Sequence, residues 1–253
     1  MPPSPRRPLP RPPRKRPGDP PPWDHLSAGD RRAISLDRVR DALTRYGEHQ
    51  IAPESVRTHE PWRALLTDGG ETRPAAVLVP LFEEGGETRV ILTVRSDRLR
   101  SHQGEVAFPG GRLEPGEGVV DAALREAHEE VGLDPALATV VGELAPLPTV
   151  ASNTVMTPVV VTLVGRPALR ASPDEVERVF DVALSELVAE GAFHEEWWSV
   201  PGRPGVSGLP GDEFPVWFFA VADETVWGAT ARTLVELICL VLGVPVPSPL
   251  RAR

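Results

Sequence analysis

Five glutamates lie between Gly111 and Leu133. Glu114 and Glu117 stand in a Gly- and Pro-containing stretch, and Glu126, Glu129 and Glu130 in a segment of helical pattern. Glu126 and Glu130 are spaced i,i+4 and Glu126 and Glu129 i,i+3, so a helix brings all three onto one face. Val120, Ala123, Ala127 and Val131 mark the opposite face, which can be buried. Like charges at this spacing repel and cost helix stability. A divalent cation removes that repulsion, and hard oxygen donors suit Mg²⁺ or Mn²⁺, which bridge to phosphate oxygens. A solvated acidic face is the plainer reading of three Glu, so the surrounding spacing has to decide.

The elements that would position these residues follow from pattern. Ser35 can cap a helix through Leu36, Val39, Leu43 and Tyr46. Ala75–Phe82 and Val90–Thr93 read as strands joined by the turn Glu84-Gly85-Gly86-Glu87, and Val106-Ala107-Phe108 as a short strand. A helix follows and ends at Gly132. Thr139–Leu144, Thr157–Val164 and Pro215–Val221 read as further strands, and Pro173–Val176 as the start of a connecting segment. Gly228–Leu242 is a closing helix with Leu234, Leu237, Ile238 and Val241 inward, and Gly202–Gly211 a Gly/Pro-rich loop. The Pro- and Arg-rich residues 1–30 are expected to form a disordered tail, because such a composition cannot bury enough apolar surface to fold. That leaves a domain over 31–246 and a short tail over 247–253.

Composition narrows the chemistry. The 253 residues are 41% hydrophobic, enough for one domain with a real core. The single Cys239 excludes an internal disulfide and a Cys-based zinc site, and its apolar neighbours predict a buried, inert thiol. Lys15 is the only lysine, which removes Schiff-base chemistry and the Gly-Lys-Ser/Thr phosphate loop; Gly-x-Ser-x-Gly is also absent. No secretory signal is visible, and the apolar run Thr233–Val246 is short and contains Glu236, so a soluble cytoplasmic protein with no membrane partner is expected. Residues 1–22 carry six basic groups and one Asp, a net +5, so the remainder of a chain of net charge −9 carries −14. An acidic body of this kind does not favour nucleic acid.

From Gly111 to Leu133 the sequence resembles the Nudix box: Gly, five residues, Glu, seven residues, Arg-Glu, an apolar residue, any residue, Glu-Glu, any residue, Gly and an apolar residue. The resemblance implies a Nudix-type α/β/α sandwich with a mixed sheet and a metal-dependent hydrolase of a diphosphate linking a nucleoside to another group. It implies that Glu126 and Glu130 hold the main Mg²⁺ or Mn²⁺ together with the Gly110 carbonyl, and that Glu129 serves a second ion or positions water. Glu126 and Glu129 are candidate general bases, and an acid outside the box stays open. Arg125 would orient the neighbouring Glu residues and Glu117 would close the loop onto the helix.

Upstream, Leu92-Thr93-Val94-Arg95-Ser96, then Arg100, Gly104 and Phe108-Pro109-Gly110-Gly111, is similar to the signature of the coenzyme A pyrophosphatase branch. This implies substrate contacts from Arg95, Ser96, Arg100, Gly104 and Phe108; paired Arg groups suit phosphates by forked donation. Arg98 is read instead as a partner for surface acids. Asn153, Pro158, Asp174-Glu175-Val176 and Val226–Ala231 also resemble this branch and would brace the fold or the pocket rim. Trp227 is expected to be buried at a strand-to-helix turn, the alternative being a platform for a base. Leu113–Glu117 departs from the longer, Asp-containing form that many branch members carry. Other readings are a Nudix hydrolase of ADP-ribose, dinucleotides or oxidised nucleoside triphosphates, and a ligand-sensing Nudix domain with weak turnover. A homodimer is left open.

Overall fold

The computed structural model describes residues 9, 11–50, 73–99, 101–149, 154–199 and 213–248. Arg100, Asn153 and Gly202–Gly211 lie outside them. In chain order the elements begin with β1 (Arg14–Pro17), α1 (Ala28–Arg32), α2 (Leu36–Gln50), β2 (Arg73–Glu84), β3 (Glu87–Arg95), β4 (Val106–Ala107) and β5 (Gly110–Arg112). Next come α3 (Val119–Val131), β6 (Ala138–Glu143), β7 (Leu147–Thr149), β8 (Thr154–Leu163) and β9 (Val176–Ala183). The chain closes with α4 (Leu184–Leu187), β10 (Phe193–Ser199), β11 (Glu213–Val221), β12 (Glu224–Trp227) and α5 (Gly228–Leu242).

The β2–β3 hairpin turns through Gly85 and Gly86, with φ of 63° and 80°. Positive φ at both central positions gives a turn whose twist matches the strands, which is why two glycines stand there. In the main sheet β2 is central, parallel to β8 and antiparallel to β3 and β5. β4 and β9 pair with β3, and β6 and β7 with β8. The sheet is therefore mixed, as expected. Period-two alternation along β2 splits its apolar run between two cores. Ala76, Leu78 and Phe82 face α3, packing with Ala122, Ala123, Ala127 and Val131. Val77, Val79 and Leu81 join Val39, Leu43, Leu234 and Ile238 from α2 and α5 on the other side. This is the α/β/α arrangement. Leu78, Leu81, Phe82 and Ile91 are fully buried, each contributing roughly 1.5–3 kcal/mol by removal from water.

A second, antiparallel sheet runs β1-β10-β11-β12. Its inner face adds Phe193, Trp217, Phe219 and Val226 to the larger core. Cys239 is fully buried there, and burial pushes its thiol up to about 12. Among the described residues no helix is long and apolar enough to cross a membrane.

Two expectations need correction, and one strand was not foreseen. The segment after Pro173 is not merely a connection, because Val176–Ala183 pairs along β3. Phe193–Ser199 is a strand whose charged residues concealed it. Disorder over residues 1–30 does not hold for the described part: Arg14–Pro17 pairs with β10, and Trp23 is 1% exposed between Phe193 and Phe219. Strand pairing and a buried indole supply what the segment's own composition lacks.

Candidate active site

Two elements of the main sheet and one helix converge at the site. β5 lies close against β2 and under α3 because neither Gly110 nor Gly111 has a side chain. A Cβ on Gly110 would stand 2.4 Å from the Ala76 carbonyl oxygen, and one on Gly111 would meet the Glu126 carboxylate at 2.4–2.7 Å. α3 starts at Gly118 and stops at Gly132, whose φ of 68° lets its N–H turn back to the carbonyls of Ala127 and His128. Alanines at positions 122, 123 and 127 let the helix lie close to the sheet. Glu126 is thereby brought against Gly111, and Glu130 against Gly110.

Glu130 is 3% exposed and accepts the Gly110 N–H at 3.1 Å. Its other oxygen is 3.9 Å from Arg95 Nη1. Burial pushes the Glu130 carboxyl up to about 7, more than the Gly110 N–H and Arg95 offset, and the charges of Glu126 and Glu175 add to the rise. Burial also raises Glu126, against the hydrogen bond from Arg125 and with help from Glu129 and Glu175. Glu175 was not anticipated as part of this group. Its backbone carbonyl accepts the Ser96 N–H at 2.8 Å, which ties it to the end of β3. Only the motif Asp174-Glu175-Val176 pointed toward it.

Arg125 spreads its guanidinium over five oxygens of four residues. Nε and Nη2 donate to Glu117 at 2.8 and 3.0 Å, Nη1 donates to Glu126 and Glu129 at 3.0 Å each, and Nη2 also reaches the Arg112 carbonyl at 3.1 Å. Glu117 in turn accepts the Glu114 N–H at 2.8 Å. Loop and helix are therefore joined through one cation. Glu129 is largely exposed and faces Arg125.

Around the loop after β3, Arg95 and Gly104 form a backbone pair, with the Gly104 N–H donating to the Arg95 carbonyl at 2.9 Å. Gly104 has φ of 68°, which suits glycine. His102 is bound to Glu105 at 2.9 Å. Arg98 is exposed and paired with Asp174 at 2.9 Å. Ser96 is buried, with its hydroxyl near the Pro173 carbonyl. Phe108 is 3% exposed inside the larger core. Its ring packs there two residues before the start of β5. Trp227 is half-buried at the β12–α5 turn and stacks on Phe218, 6.4 Å between ring centroids.

The donor chemistry fits a hard divalent cation. Glu130 is a buried carboxylate with too little positive charge around it, and Glu126 and Glu175 load the same region with further negative charge. As they stand, no three acidic or imidazole side chains among the described residues converge on one point.

A model of the NUDIX domain matches residues 72–201. The chain is 37% identical over 166 residues to the uncharacterized Nudix hydrolase NudL of Photorhabdus laumondii, a match spanning 65% of this chain and 83% of that protein. It is 40% identical over 172 residues to the NudL of Citrobacter koseri, spanning 66% and 84%. Among solved structures, a Nudix hydrolase from M. smegmatis, RenU, aligns with 23% identity and a TM-score of 0.39 over 44% of this chain and 70% of that one. The chain belongs to the Nudix hydrolase family. Members act on nucleoside diphosphate-linked substrates and generally use Mg²⁺ or Mn²⁺.

Proposed function

We propose that this protein hydrolyses the diphosphate of coenzyme A or its derivatives, giving 3′,5′-ADP and 4′-phosphopantetheine. The observation that carries the reading is the position of Arg95. It ends β3 within the segment that matches the coenzyme A signature, and its guanidinium lies 3.9 Å from Glu130. Its Nε is buried without a hydrogen-bond partner while the side chain as a whole is one-quarter exposed, which leaves donors that a phosphate at the edge of the metal site would satisfy.

Glu126 and Glu130, with the Gly110 carbonyl, would hold the divalent ion, and Glu129 or Glu175 would complete the set. Such an ion lowers the pKa of bound water and neutralises charge on the departing phosphate. Arg125 keeps Glu126 and Glu129 oriented and locks the loop through Glu117. Arg95, Ser96 and Gly104 would face the substrate phosphates, and the sequence signature offers Arg100 as a second cation. Glu126, Glu129 and Glu175 are the candidate acceptors for the proton of the attacking water. Water adds to one phosphorus of the diphosphate, the bridging P–O bond breaks, and each product keeps one of its two phosphates, with the 3′-phosphate staying on 3′,5′-ADP.

Mg²⁺-dependent turnover over a panel of coenzyme A, dephospho-coenzyme A, ADP-ribose, dinucleotides and oxidised nucleoside triphosphates tests this directly. A charge-assisted contact is worth roughly 1.5–3 kcal/mol, or about tenfold to a hundredfold in kcat/KM. Arg100→Ala should penalise coenzyme A more than dephospho-coenzyme A, which lacks the 3′-phosphate. Arg95→Ala should do the same if it shares that phosphate and lower both equally if it clamps the diphosphate. Far better turnover of ADP-ribose by the wild type would overturn the coenzyme A reading and leave the family assignment standing.

A further inference from the structure

The Pro- and Arg-rich segment meets a surface of complementary chemistry in its own chain. Alternation along β10, β11 and β12 brings His194, Glu196, Trp198, Phe218 and Trp227 onto the outer face of the second sheet. His194 and Trp227 both stack parallel to Phe218, at 4.7 and 6.4 Å between centroids, and Trp198 is tilted against Phe218 and Trp227 at 5.9 and 5.7 Å. Leu9 packs against this cluster. Arg11 stands over the Phe218 ring at 5.5 Å and 3.5 Å from Glu196, and Lys15 donates to the same carboxylate at 3.1 Å.

The backbone is engaged as well. β1 adds an antiparallel strand to the edge of β10, with Lys15 opposite Trp198 and Arg16 opposite Trp197. On the inner side Arg16 lies 4.8 Å over Trp197 and donates to Glu213 at 2.6 Å. The chain then passes tightly over Glu195: the Asp19 N–H donates to its carboxylate at 3.0 Å, and a Cβ on Gly18 would stand 2.3 Å from its Cγ. Proline keeps such a segment extended before it docks, aromatic rings receive it, guanidinium groups favour ring faces, and strand addition supplies main-chain bonds.

We propose that the outer face of β10–β12 is a recognition surface for extended Pro- and Arg-rich peptide, and that Leu9 and residues 11–17 of the same chain are its ligand in cis. Tethering gives this ligand an effective concentration on the order of millimolar. A peptide in trans binds only when the tether is released, and ionic strength weakens the contact because Glu196 and Glu213 meet Arg11, Lys15 and Arg16 near solvent.

The test uses the full chain with Arg11→Glu, Lys15→Glu and Arg16→Glu combined, and a fluorescent peptide of native residues 9–19. The peptide is expected to bind this variant about tenfold or more tightly than it binds wild type, less well in high salt, and not at all once Glu196→Lys is added. Equal binding to wild type and variant, or none to either, overturns the proposal; self-association of the variant with no peptide binding makes a second copy the occupant and overturns it too. Trypsin decides the case if the variant does not fold. In wild type the Arg14–Lys15 and Lys15–Arg16 bonds should be cut about tenfold or more slowly than in the free peptide, with protection falling as salt rises. Cleavage at the free-peptide rate in low salt overturns the proposal.

Discussion

At Glu130 a carboxylate is kept almost out of water, and the consequence for the metal-free protein has a definite sign. Its folded-state value of about 7 lies above the ordinary 4.5. The stability this group permits is therefore complete below pH 4.5 and is lost as pH rises through about 7. The shift corresponds to about 3 kcal/mol. Denaturant unfolding should show that loss in metal-free wild type, and Mg²⁺ should restore stability by favouring the charged form. Glu130→Gln should flatten the pH dependence, leave the fold intact and nearly abolish hydrolysis; unchanged activity at saturating Mg²⁺ would remove Glu130 from the metal set. Gly111→Ala makes a second prediction, since the new methyl group occupies the space of the Glu126 carboxylate. The expected outcome is weaker Mg²⁺ binding by titration calorimetry, with little change in melting temperature because the displaced group is the end of a flexible side chain. These positions were legible in sequence because the box is local: i,i+3 and i,i+4 spacing fixes which carboxylates share a face. Glu175 was not, because only the packing of a distant segment against β3 turns its charge toward Glu126 and Glu130. Phe108 meets the same limit, as a motif position does not reveal that its ring enters the larger core.

Elements carried by local rules appear as their sequences dictate. The helix closed by Gly132, the hairpin turned by Gly85 and Gly86, and the apolar helix Gly228–Leu242 need no distant partner to be recognised. β1 and β10 do. Arg14–Pro17 has no apolar residue and becomes a strand only through β10, while the acids of β10 are satisfied by Trp217 Nε1 at 2.7 Å for Glu195 and Trp198 Nε1 at 2.8 Å for Glu196. The anchor of the N-terminal segment is Trp23, stacked parallel to Phe219 at 6.3 Å and edge-on to Phe193 at 5.4 Å. Trp23→Ala should cost about 3–5 kcal/mol, the usual penalty for emptying a large aromatic site. Chemical denaturation would measure it, and a loss below about 1 kcal/mol would mean that the segment contributes little to the folded state.

At the scale of the whole molecule, charge is distributed so that the basic N-terminal stretch lies against an acidic body. A separate ion network links β2, β3 and β9: Arg166 donates to Glu84 at 2.7 and 2.6 Å and to Asp181 at 2.6 Å, and Arg89 also binds Asp181. Burial would raise the Asp181 carboxyl, but its hydrogen bonds from Arg166 and Arg89 outweigh this and hold it below the ordinary 3.8. The stability it contributes is present above that ordinary value and lost as pH falls through the lowered one. Asp181→Asn should therefore reduce stability at neutral pH and make unfolding less steep in acid, as followed by circular dichroism against pH. The fully buried Cys239 carries one more consequence. As the chain's single thiol, it gives any thiol-directed reagent one target, and its burial in α5 requires that helix to part from the sheet before reaction can occur. The rate of its modification under native conditions is thus a clock for the opening of the core: ligands that tighten the fold should slow it, and a modification rate equal to that of a free thiol would mean the helix is seldom closed.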